Sequence, residues 1–472
     1  MKINLTNKIF FKIEFWIIFI FLLRLYGISN PPLETAHNWR QVTGLMVVRN
    51  FLEENSNILY PRIDDTQGDT GIIGMEFPVM NYICFIISKI FGYTDWYGRL
   101  INLIVSSIGI YFFYKIIKEH FNHKIAFYSS LSLIFSIWFV FSRKMMPDTF
   151  SISLVFIGLY YGLRFLKRYF ITDIFLYILF FSLGILAKIP AGMYLVIFAI
   201  PFFSKNIKFK YKIVFSFSTL IPLSLTYLWY FVWNPYLSAK YGVWYNSGND
   251  FFIGFSELSG NLDLILKKFY FESFYSFVFF ALALIGIGFA IIKSNYKILV
   301  VFALLSFIFV LYIIKSGHYF YEQNYYIIPY VPILALLIGY TFSFINKKWL
   351  ISILLICGIS ECIINQYQDF TIKQSELYKL NLEAIADSVT NKTDLIVING
   401  NDNPQQLYLS HRKGWICTDK NIDDTAYIKG IAKKGCDYIF VNKNTFNKKY
   451  NGTPIYDDAN FQIFKIDIME NN

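Results

Sequence analysis

Long hydrophobic runs, most of them close to the roughly 20 residues that a membrane-spanning helix needs, recur along most of the chain between short polar segments. Backbone polar groups in lipid must be satisfied within the segment, so these runs predict α-helices and a polytopic helical membrane protein. We predict about eleven transmembrane helices, at residues 15–26, 97–117, 125–141, 149–166, 173–187, 191–203, 213–233, 273–292, 298–314, 325–345 and 350–364.

Lysine and arginine concentrate in five of the short segments, those near residues 115–124, 164–168, 205–212, 293–297 and 347–348. Such clusters mark the cytoplasmic side of a membrane. The apolar run 77–91 is only about 15 residues long, so we predict that it lies at the interface and does not span. All five clusters then fall on the side of the lysine-rich N-terminus. The pattern predicts a cytoplasmic N-terminus and an extracytoplasmic C-terminus in a cell membrane.

The longest polar interruption before the C-terminal tail is residues 30–78, within a first outer loop that we place at 29–96. A loop of this length is usually functional or disordered, and its prolines and aromatic residues argue against disorder. Apolar positions at helical spacing predict a helix over 42–54, lying along the membrane surface. The Gly- and Asp-rich stretch 64–74 predicts a turn or hairpin.

The tail, 369–472, differs in composition from the transmembrane domain, 1–368. Residues 394–399 (DLIVIN) and 437–442 (DYIFVN) are short apolar runs typical of buried strands, and helices are predicted over 380–389 and 422–433. The tail is therefore predicted to be a small soluble α/β domain on the outer face. Cys417 and Cys436 form a disulfide there in one reading and remain free thiols in the other.

Composition supports this class. Of the 472 residues, 56% are hydrophobic and only 16% are charged, whereas soluble domains carry about 25% charged residues. The net charge of +11 does not indicate nucleic-acid binding, because most of the excess lies in the short loops, where it orients the protein in the membrane.

The first outer loop carries five candidate site residues. Glu34 is a candidate catalytic base and its alternative is a solvated surface residue. His37 is a candidate base or a structural hydrogen-bonding group. Arg40 is a candidate phosphate ligand, since guanidinium suits phosphate oxygens, or a lipid-headgroup anchor. Gln41 and Glu76 are further candidates, and Glu76 is equally compatible with an ordinary surface position.

Four more candidates stand at the predicted outer ends of later spans, where an ionisable residue is a functional hypothesis. Arg143 and Asp148 lie in SRKMMPDTF, Lys188 in ILAKIPAG and His318 in KSGHYFYEQNYY. Asp148 follows Pro147 and has helix capping as its alternative role. Lys188 lies between apolar runs, where an unpaired ammonium is costly, so a functional role is favoured.

No cofactor is specified by the sequence, and no metal ligands are assigned. A divalent cation held by three aspartates of the first loop is an open alternative to their ordinary role in a turn. These are Asp64, Asp65 and Asp69.

The order of several short motifs resembles the GT-C membrane glycosyltransferases, in particular the family-39-like group that includes protein O-mannosyltransferases and lipid A aminoarabinose transferases. The resemblance covers about residues 10–345 and includes an R-x-x-N sequence in the span that follows the first loop. The other motifs are PPLETAHNWRQ, RNF, YPRID, GMEFPVMNY, MMPDTFS, LAKIPAG and YYIIPYVPILAL.

The resemblance implies a GT-C-like fold and an inverting transfer of a hexose or pentose from a polyprenyl-phosphate donor to a glycan, lipid or protein acceptor. An acidic residue of the first outer loop acts as general base in this family, and cationic groups bind the donor phosphate. The usual Asp-Glu pair is absent here, and HNWRQ stands close to its place. Glu34 is the first choice of base and His37 the alternative. Arg40, Lys188, Arg143 and His318 are the phosphate-binding candidates.

A transporter or flippase of lipid-linked sugars is the alternative from another functional class. Transporters place polar residues and broken helices near the bilayer midplane, often in related halves. This chain shows no obvious internal repeat, and its mixed polar groups collect at one predicted face. The sequence therefore favours the enzyme. A non-catalytic membrane scaffold that presents the tail is a more distant alternative.

Overall fold

The computed structural model describes residues 9–242, 248–446, 448 and 450–466. These form two compact units, which are described separately. The first unit comprises Met1–Ile28, Gly98–Val232 and Asn246–Asp369, and the second comprises Ser29–Tyr97, Trp233–Tyr245 and Phe370–Asn472. The sequence-based division placed the first loop in the transmembrane domain, whereas the structure groups this loop with the tail.

The first unit is helical. Its α-helices are Ile13–Arg24, Tyr97–His120, His123–Ile134, Trp138–Phe141, Pro147–Arg168, Ile171–Ala187, Ala199–Phe202, Phe209–Tyr227, Phe251–Ser259, Leu262–Lys267, Phe277–Ile292, Tyr296–Ser316, His318–Glu322, Val331–Phe344 and Lys348–Gln366. Segments of 3₁₀-helix occur at Ile189–Phe198, Asn324–Ile327 and Tyr367–Phe370. Segments of π-helix occur at Leu228–Trp233 and Lys268–Glu272.

Five helical stretches of the described chain are long and apolar enough to cross a membrane. They are Tyr97–His120, Pro147–Arg168, Phe209–Tyr241, Tyr296–Ser316 and Lys348–Phe370. A sixth results if Leu262–Glu272 and Phe277–Ile292, which meet at 96°, form one broken span. The protein is thus a multi-pass helical membrane protein. Several predicted spans correspond to helices shorter than a full crossing, so the count of eleven stays a prediction.

Close helix packing organises the core of the first unit. Pro147–Arg168 packs along Ile171–Ala187, and both helices have glycines where they meet. A Cβ at Gly158 would lie 2.7 Å from the backbone nitrogen of Phe181, and one at Gly184 would lie 2.8 Å from the carbonyl oxygen of Ser151. Small residues allow this close backbone approach, which membrane helices use in place of a hydrophobic driving force.

The second unit combines two helices of the first loop with the tail. The loop helices are Asn38–Glu53 and Val79–Phe91. The first begins four residues before the predicted helix over 42–54 and ends one residue before its predicted end. The second has 13 residues, in agreement with the prediction that this apolar run is too short to span. Further helices of this unit are Asn234–Tyr241, Gln374–Asn381, Leu382–Val389, Gln405–Ser410, Asp419–Ile422 and Thr425–Ala432.

A five-stranded sheet forms the centre of the tail. Its strands are β1 (Leu395–Asn399), β2 (Lys413–Cys417), β3 (Cys436–Asn442), β4 (Tyr456–Asp457) and β5 (Phe461–Lys465), in the order β2-β1-β3-β5-β4. β1 is parallel to β2 and β3, whereas β5 is antiparallel to β3 and β4. β1 and β3 are the two strands predicted from apolar runs, and both end in residues that are fully buried.

A buried arginine of the first loop, paired with a carboxylate of the same loop, links the loop to the tail. Arg49 donates to the Asp64 carboxylate and, over 3.0 Å, to the carbonyl oxygen of Tyr408, whose ring centre lies 4.4 Å from the guanidinium carbon. Tyr408 also donates through its hydroxyl group to Asp95. These contacts explain why the loop and the tail belong to one unit although more than 300 residues separate them in the sequence.

Each of the five cysteines is a free thiol, and all five lie within the described residues. Cys417 ends β2, where it is opposite Asn399 of β1. Cys436 begins β3, where it is opposite Leu395 at the other end of β1. A whole strand therefore separates the two thiols, which excludes the proposed disulfide because its Cα atoms must be within about 7 Å.

Candidate functional site

Glu34 is completely buried, so the alternative of a solvated surface glutamate is wrong. An isolated antiparallel bridge joins its backbone to Ile372. The next residue, Thr35, donates through both its backbone nitrogen and its hydroxyl group to the carbonyl oxygen of Thr371, each over 3.0 Å. Together with the proline pair that precedes Glu34, which restricts the backbone, these contacts hold the glutamate in a fixed position.

The other first-loop candidates lie at or near the start of the helix Asn38–Glu53. His37 precedes this helix with a left-handed backbone (φ 52°), and its carbonyl oxygen accepts from the backbone nitrogen of Gln41 at 3.2 Å. Gln41 is buried. Arg40 donates to the Glu76 carboxylate, and both side chains are about one-fifth exposed. The ion pair gives Glu76 a specific partner and makes Arg40 part of an acid–base pair.

Lys188 and Asp148 are also an ion pair, in the first unit. Asp148 lies in the first turn of Pro147–Arg168, whose N-cap position is Met146, so Asp148 is not the cap itself. Lys188 follows the last residue of Ile171–Ala187 and donates to Asp148 Oδ1. The ammonium also lies 4.8 Å from the ring centre of Tyr325, within the range of a cation–π interaction.

Arg143 and Lys144 lie in the turn between Trp138–Phe141 and Pro147–Arg168, and both are buried. Arg143 donates to the carbonyl oxygen of Gly27 at 2.5 Å, and Lys144 donates to that of Asp369 at 2.7 Å. Asn102 shapes this turn, because its amide nitrogen donates to the carbonyl oxygens of three residues over 2.8–3.1 Å. These residues are Phe141, Lys144 and Met146.

The R-x-x-N motif therefore has a positioning role. Its asparagine is Asn102, which holds the turn that carries Arg143. Its arginine is Arg99, which is 1% exposed and donates to the carbonyl oxygen of Ile28 at 3.3 Å. Both arginines thus bind carbonyl groups of the turn that follows the first helix.

Arg24 interrupts the first hydrophobic run near its end and is not among the candidates from the sequence. It is the last residue of the helix Ile13–Arg24 and is 6% exposed. Its guanidinium lies 5.3 Å from the ring centre of Phe139. Neither Nε nor Nη2 of Arg24 has a hydrogen-bond partner among the described residues. Its burial and its contact with Phe139, which is distant in sequence, make Arg24 a candidate. The local hydrophobic pattern gave no such signal.

His318 has a partner that the sequence did not indicate. Glu257 Oε2 accepts from the backbone nitrogen of His318 at 2.8 Å and lies 3.0 Å from its Nδ1. Asn249 donates to the same oxygen at 2.6 Å. The backbone N–H group of His318 is the main reason that the pKa of Glu257 is lowered. His318 is therefore held beside a carboxylate, 61 residues away in sequence.

The three aspartates proposed as cation ligands do not act together. Within the residues that the structure describes, no group of three or more His, Cys, Asp or Glu side chains is arranged to hold a metal ion. Asp64 is bonded to Arg49 and Asn50. Asp69 Oδ1 accepts a hydrogen bond from the backbone nitrogen of Thr70 at 2.7 Å in an exposed turn. Burial raises the pKa of Asp65 to about 6.

Comparison with protein families gives a match over part of the chain. The sequence profile of the dolichyl-phosphate-mannose-protein mannosyltransferase family matches residues 76–233. This segment contains Glu76, Arg143, Asp148 and Lys188, and it excludes Glu34 and the rest of the first-loop candidates. No curated protein matches the chain at a significant level.

Solved structures share the fold over nearly the whole chain. ArnT from Cupriavidus metallidurans in the apo state has a TM-score of 0.59 at 11% identity, covering 95% of this chain and 97% of that one. The same protein bound to undecaprenyl phosphate gives 0.59 at 11% identity, with 95% and 98% covered. The Archaeoglobus fulgidus oligosaccharyltransferase in complex with Zn and sulfate gives 0.57 at 12% identity, with 90% and 67% covered. The resemblance to GT-C fold glycosyltransferases is confirmed.

Proposed function

We propose that this protein is an inverting glycosyltransferase that moves a sugar from a polyprenyl-phosphate donor to a hydroxyl group of an envelope glycan, glycolipid or protein. The GT-C fold supports the proposal, because one of its relatives is solved with undecaprenyl phosphate bound. The observation that carries it is a group of four cationic side chains around residues 25–28 and the turn at 142–146. Their exposed fractions are 6% for Arg24, 1% for Arg99, 4% for Arg143 and 0% for Lys144.

Buried cations suit the leaving group of this reaction. When the bond from the sugar C1 to the phosphate oxygen breaks, its electron pair leaves with polyprenyl phosphate, and negative charge grows on the phosphate in the transition state. Preorganised cations in a water-poor site stabilise that charge more than they would in water. In the first unit we assign this role to Arg143 and Lys188, with Arg24 added from the structure. His318 is assigned as a further phosphate ligand. Asp148 positions the Lys188 ammonium.

In the second unit we assign the general base to Glu34, with His37 as the alternative. The base takes the proton of the acceptor hydroxyl group while the hydroxyl oxygen attacks C1 from the face opposite the phosphate, which inverts the configuration. A positioned base contributes roughly 10²–10⁴-fold. Arg40 is the phosphate ligand assigned to this unit. Glu76 and Gln41, which lie next to Arg40 in space or in sequence, orient it.

The proposal includes a location. The protein is a multi-pass protein of the cell membrane, with eleven spans, a cytoplasmic N-terminus and an extracytoplasmic tail at 369–472. The alternation of lysine-rich loops supports this topology. The transferred sugar is a hexose or a pentose. The reaction needs no bound cofactor in this proposal, and full activity in a metal chelator is the expected result. Loss of activity that Mg²⁺ or Mn²⁺ restores would establish the divalent-cation alternative instead.

The test uses the full chain, purified and reconstituted in liposomes with a radiolabelled polyprenyl-phosphate sugar and a membrane extract as acceptor source. Transfer of label from the lipid to an acceptor, with inversion at C1, is the expected result. Movement of intact lipid-linked sugar between leaflets without transfer would overturn the proposal in favour of the flippase. Neither activity, with donor binding absent, would overturn both.

A further inference from the structure

The tail has a polar pocket at the carboxyl ends of its parallel strands. The pocket has a volume of about 90 Å³. Its lining comes from the segment after β1, from the turn after β3 and from the helix Gln374–Asn381. The lining residues are Lys379, Gly400, Asn401, Asn403, Gln405, Gln406 and Thr445. None of the sequence-based candidates lies in this pocket.

The position of the pocket follows from the strand order. The chain leaves β1 towards β2 on one side, whereas the chain after β3 continues to β4 and β5 on the other side. β1 and β3 are parallel neighbours. A crevice opens between the carboxyl ends of two such strands because their connections diverge, and open α/β sheets bind ligands at this point. Gly400 follows β1, and Thr445 lies just beyond β3, so the pocket stands at the divergence.

The floor of the pocket is held rigid by buried amides. Asn399 and Asn442, the last residues of β1 and β3, are both fully buried. The backbone nitrogen of Asn442 donates to Asn399 Oδ1 at 2.6 Å. Asn442 Nδ2 donates to Gln406 Oε1 at 2.9 Å, and Gln406 Nε2 donates to the Asn399 carbonyl oxygen at 2.9 Å. A closed network of this kind fixes the positions of the groups above it.

The charges favour a neutral ligand over an anion. Lys379, the one cation among the described residues of the lining, is paired with Glu376 and donates to Gln405 Oε1 at 3.2 Å. A second carboxylate, Asp419, accepts from Asn399 Nδ2 at 2.8 Å beneath the floor. The two carboxylates outnumber the one ammonium group among these described residues. The excess negative charge would repel phosphate.

The lining offers amide and hydroxyl groups, which both donate and accept hydrogen bonds, and sugar hydroxyl groups need both. The exposed side-chain amide of Asn401 makes no hydrogen bond to any described residue, so it is available to a ligand. We propose that this pocket binds a neutral sugar residue, and that the acceptor of the reaction is accordingly a glycan. The identification of the bound sugar as part of the acceptor rests on the proposed function, whereas the binding itself does not.

The test is saturation-transfer NMR on the full-length protein in nanodiscs, which detects the weak, millimolar binding expected of a single sugar. The probes are the methyl glycosides of glucose, galactose, mannose and N-acetylglucosamine, with inorganic phosphate and glucose 1-phosphate as anionic competitors. Asn401 has a left-handed backbone (φ 51°), so Asn401→Gly removes the amide without straining the turn. Gln67→Gly is the matched control, since Gln67 is an exposed amide of the same unit with φ 52° and lies outside the pocket.

We expect at least one neutral glycoside to bind, with affinity at least about fivefold lower in Asn401→Gly and unchanged in Gln67→Gly. We also expect Asn401→Gly to raise the KM for the acceptor without changing kcat. Equal binding in all three proteins would overturn the proposal, as would displacement of the glycoside by inorganic phosphate. Glycoside binding that depends on Asn401, in a protein without transfer activity, would leave the pocket in place and overturn the proposed function instead.

Discussion

Lys188 donates a hydrogen bond to Asp148 from the end of one helix to the beginning of its neighbour. The side chains are only 14% and 3% exposed, so each charge depends on the other for compensation. Removal of one partner from a buried ion pair typically costs about 3–5 kcal/mol, whereas replacement of both by apolar residues is often neutral. This contrast separates a structural role from a catalytic one.

We therefore predict that Asp148→Asn lowers the thermal stability of the detergent-solubilised protein by the equivalent of about 3–5 kcal/mol. The double variant Asp148→Leu with Lys188→Met should recover most of that loss and still transfer no sugar. Thermal unfolding and the transfer assay measure the two effects. If the double variant transferred sugar normally, Lys188 would be a structural residue only.

Arg24 should show the opposite balance between stability and function. Its Nε–H and Nη2–H groups are buried and have no hydrogen-bond partner among the described residues, and an unsatisfied buried donor costs about 1–3 kcal/mol. Arg24→Met should therefore keep or raise the stability of the protein without ligand. We also expect it to weaken binding of polyprenyl phosphate at least about tenfold, which corresponds to about 1.4 kcal/mol.

The matched control for Arg24 is Arg164→Met. Arg164 lies in the same unit and donates to the buried Asp173 carboxylate, so its loss leaves a charge without a partner. This variant should be less stable and should bind polyprenyl phosphate as the parent does. Unchanged lipid affinity in Arg24→Met would remove Arg24 from the proposed phosphate site.

The stability of the protein should depend on pH through Asp65. Burial raises the pKa of this carboxyl group to about 6 in the folded protein, against about 3.9 in an unfolded chain. A raised folded-state pKa contributes stability that is fully present below about pH 4 and is lost as the pH rises through about 6. Asp65→Asn imitates the protonated form, so it should be more stable than the parent above pH 6, on the order of 1–3 kcal/mol, and similar at pH 4.

Thermal unfolding at a series of pH values checks this prediction. Asp69→Asn is the control, because Asp69 lies in the same loop and is exposed. The quantity to compare is the difference in stability between the parent and Asp65→Asn. If this difference were the same at pH 4 and at pH 8, Asp65 would not titrate in this range.

The sequence predicted the elements whose pattern is local. β1 and β3 are continuous apolar runs, and the structure has both. β2 was missed because KGWIC begins with Lys413 and Gly414 and leaves only three apolar residues, and because the strand is defined by its pairing with β1. Strands specified by a distant partner leave a weaker local pattern than strands buried on both faces.

The same limit applies to the candidate site. Lys188 is a candidate from the sequence because a lysine between apolar runs is costly wherever it lies, and that argument needs no partner. Its functional role stays a prediction. The burial of Glu34 depends on a segment more than 330 residues later in the chain. The sequence alone therefore could not exclude that Glu34 is a solvated surface residue. Glu257 was overlooked for the same reason, because only the fold brings it to His318.

The last prediction concerns the catalytic base. Glu34 is completely buried, and the bridge to Ile372 holds its backbone in place. Glutamine has the same shape as glutamate and cannot accept a proton at neutral pH. Glu34→Gln should therefore fold normally and bind the donor lipid as the parent does, while the rate of transfer falls at least about 100-fold.

His37→Asn is the parallel variant, because an imidazole can also accept a proton near neutral pH. We expect it to reduce transfer less than Glu34→Gln does. The pH dependence of kcat/KM adds an independent criterion, since the pKa that governs its acidic limb belongs to the base of the free enzyme. That limb should disappear in Glu34→Gln and persist in His37→Asn. Full activity in Glu34→Gln, with transfer abolished and donor binding intact in His37→Asn, would assign the base to His37.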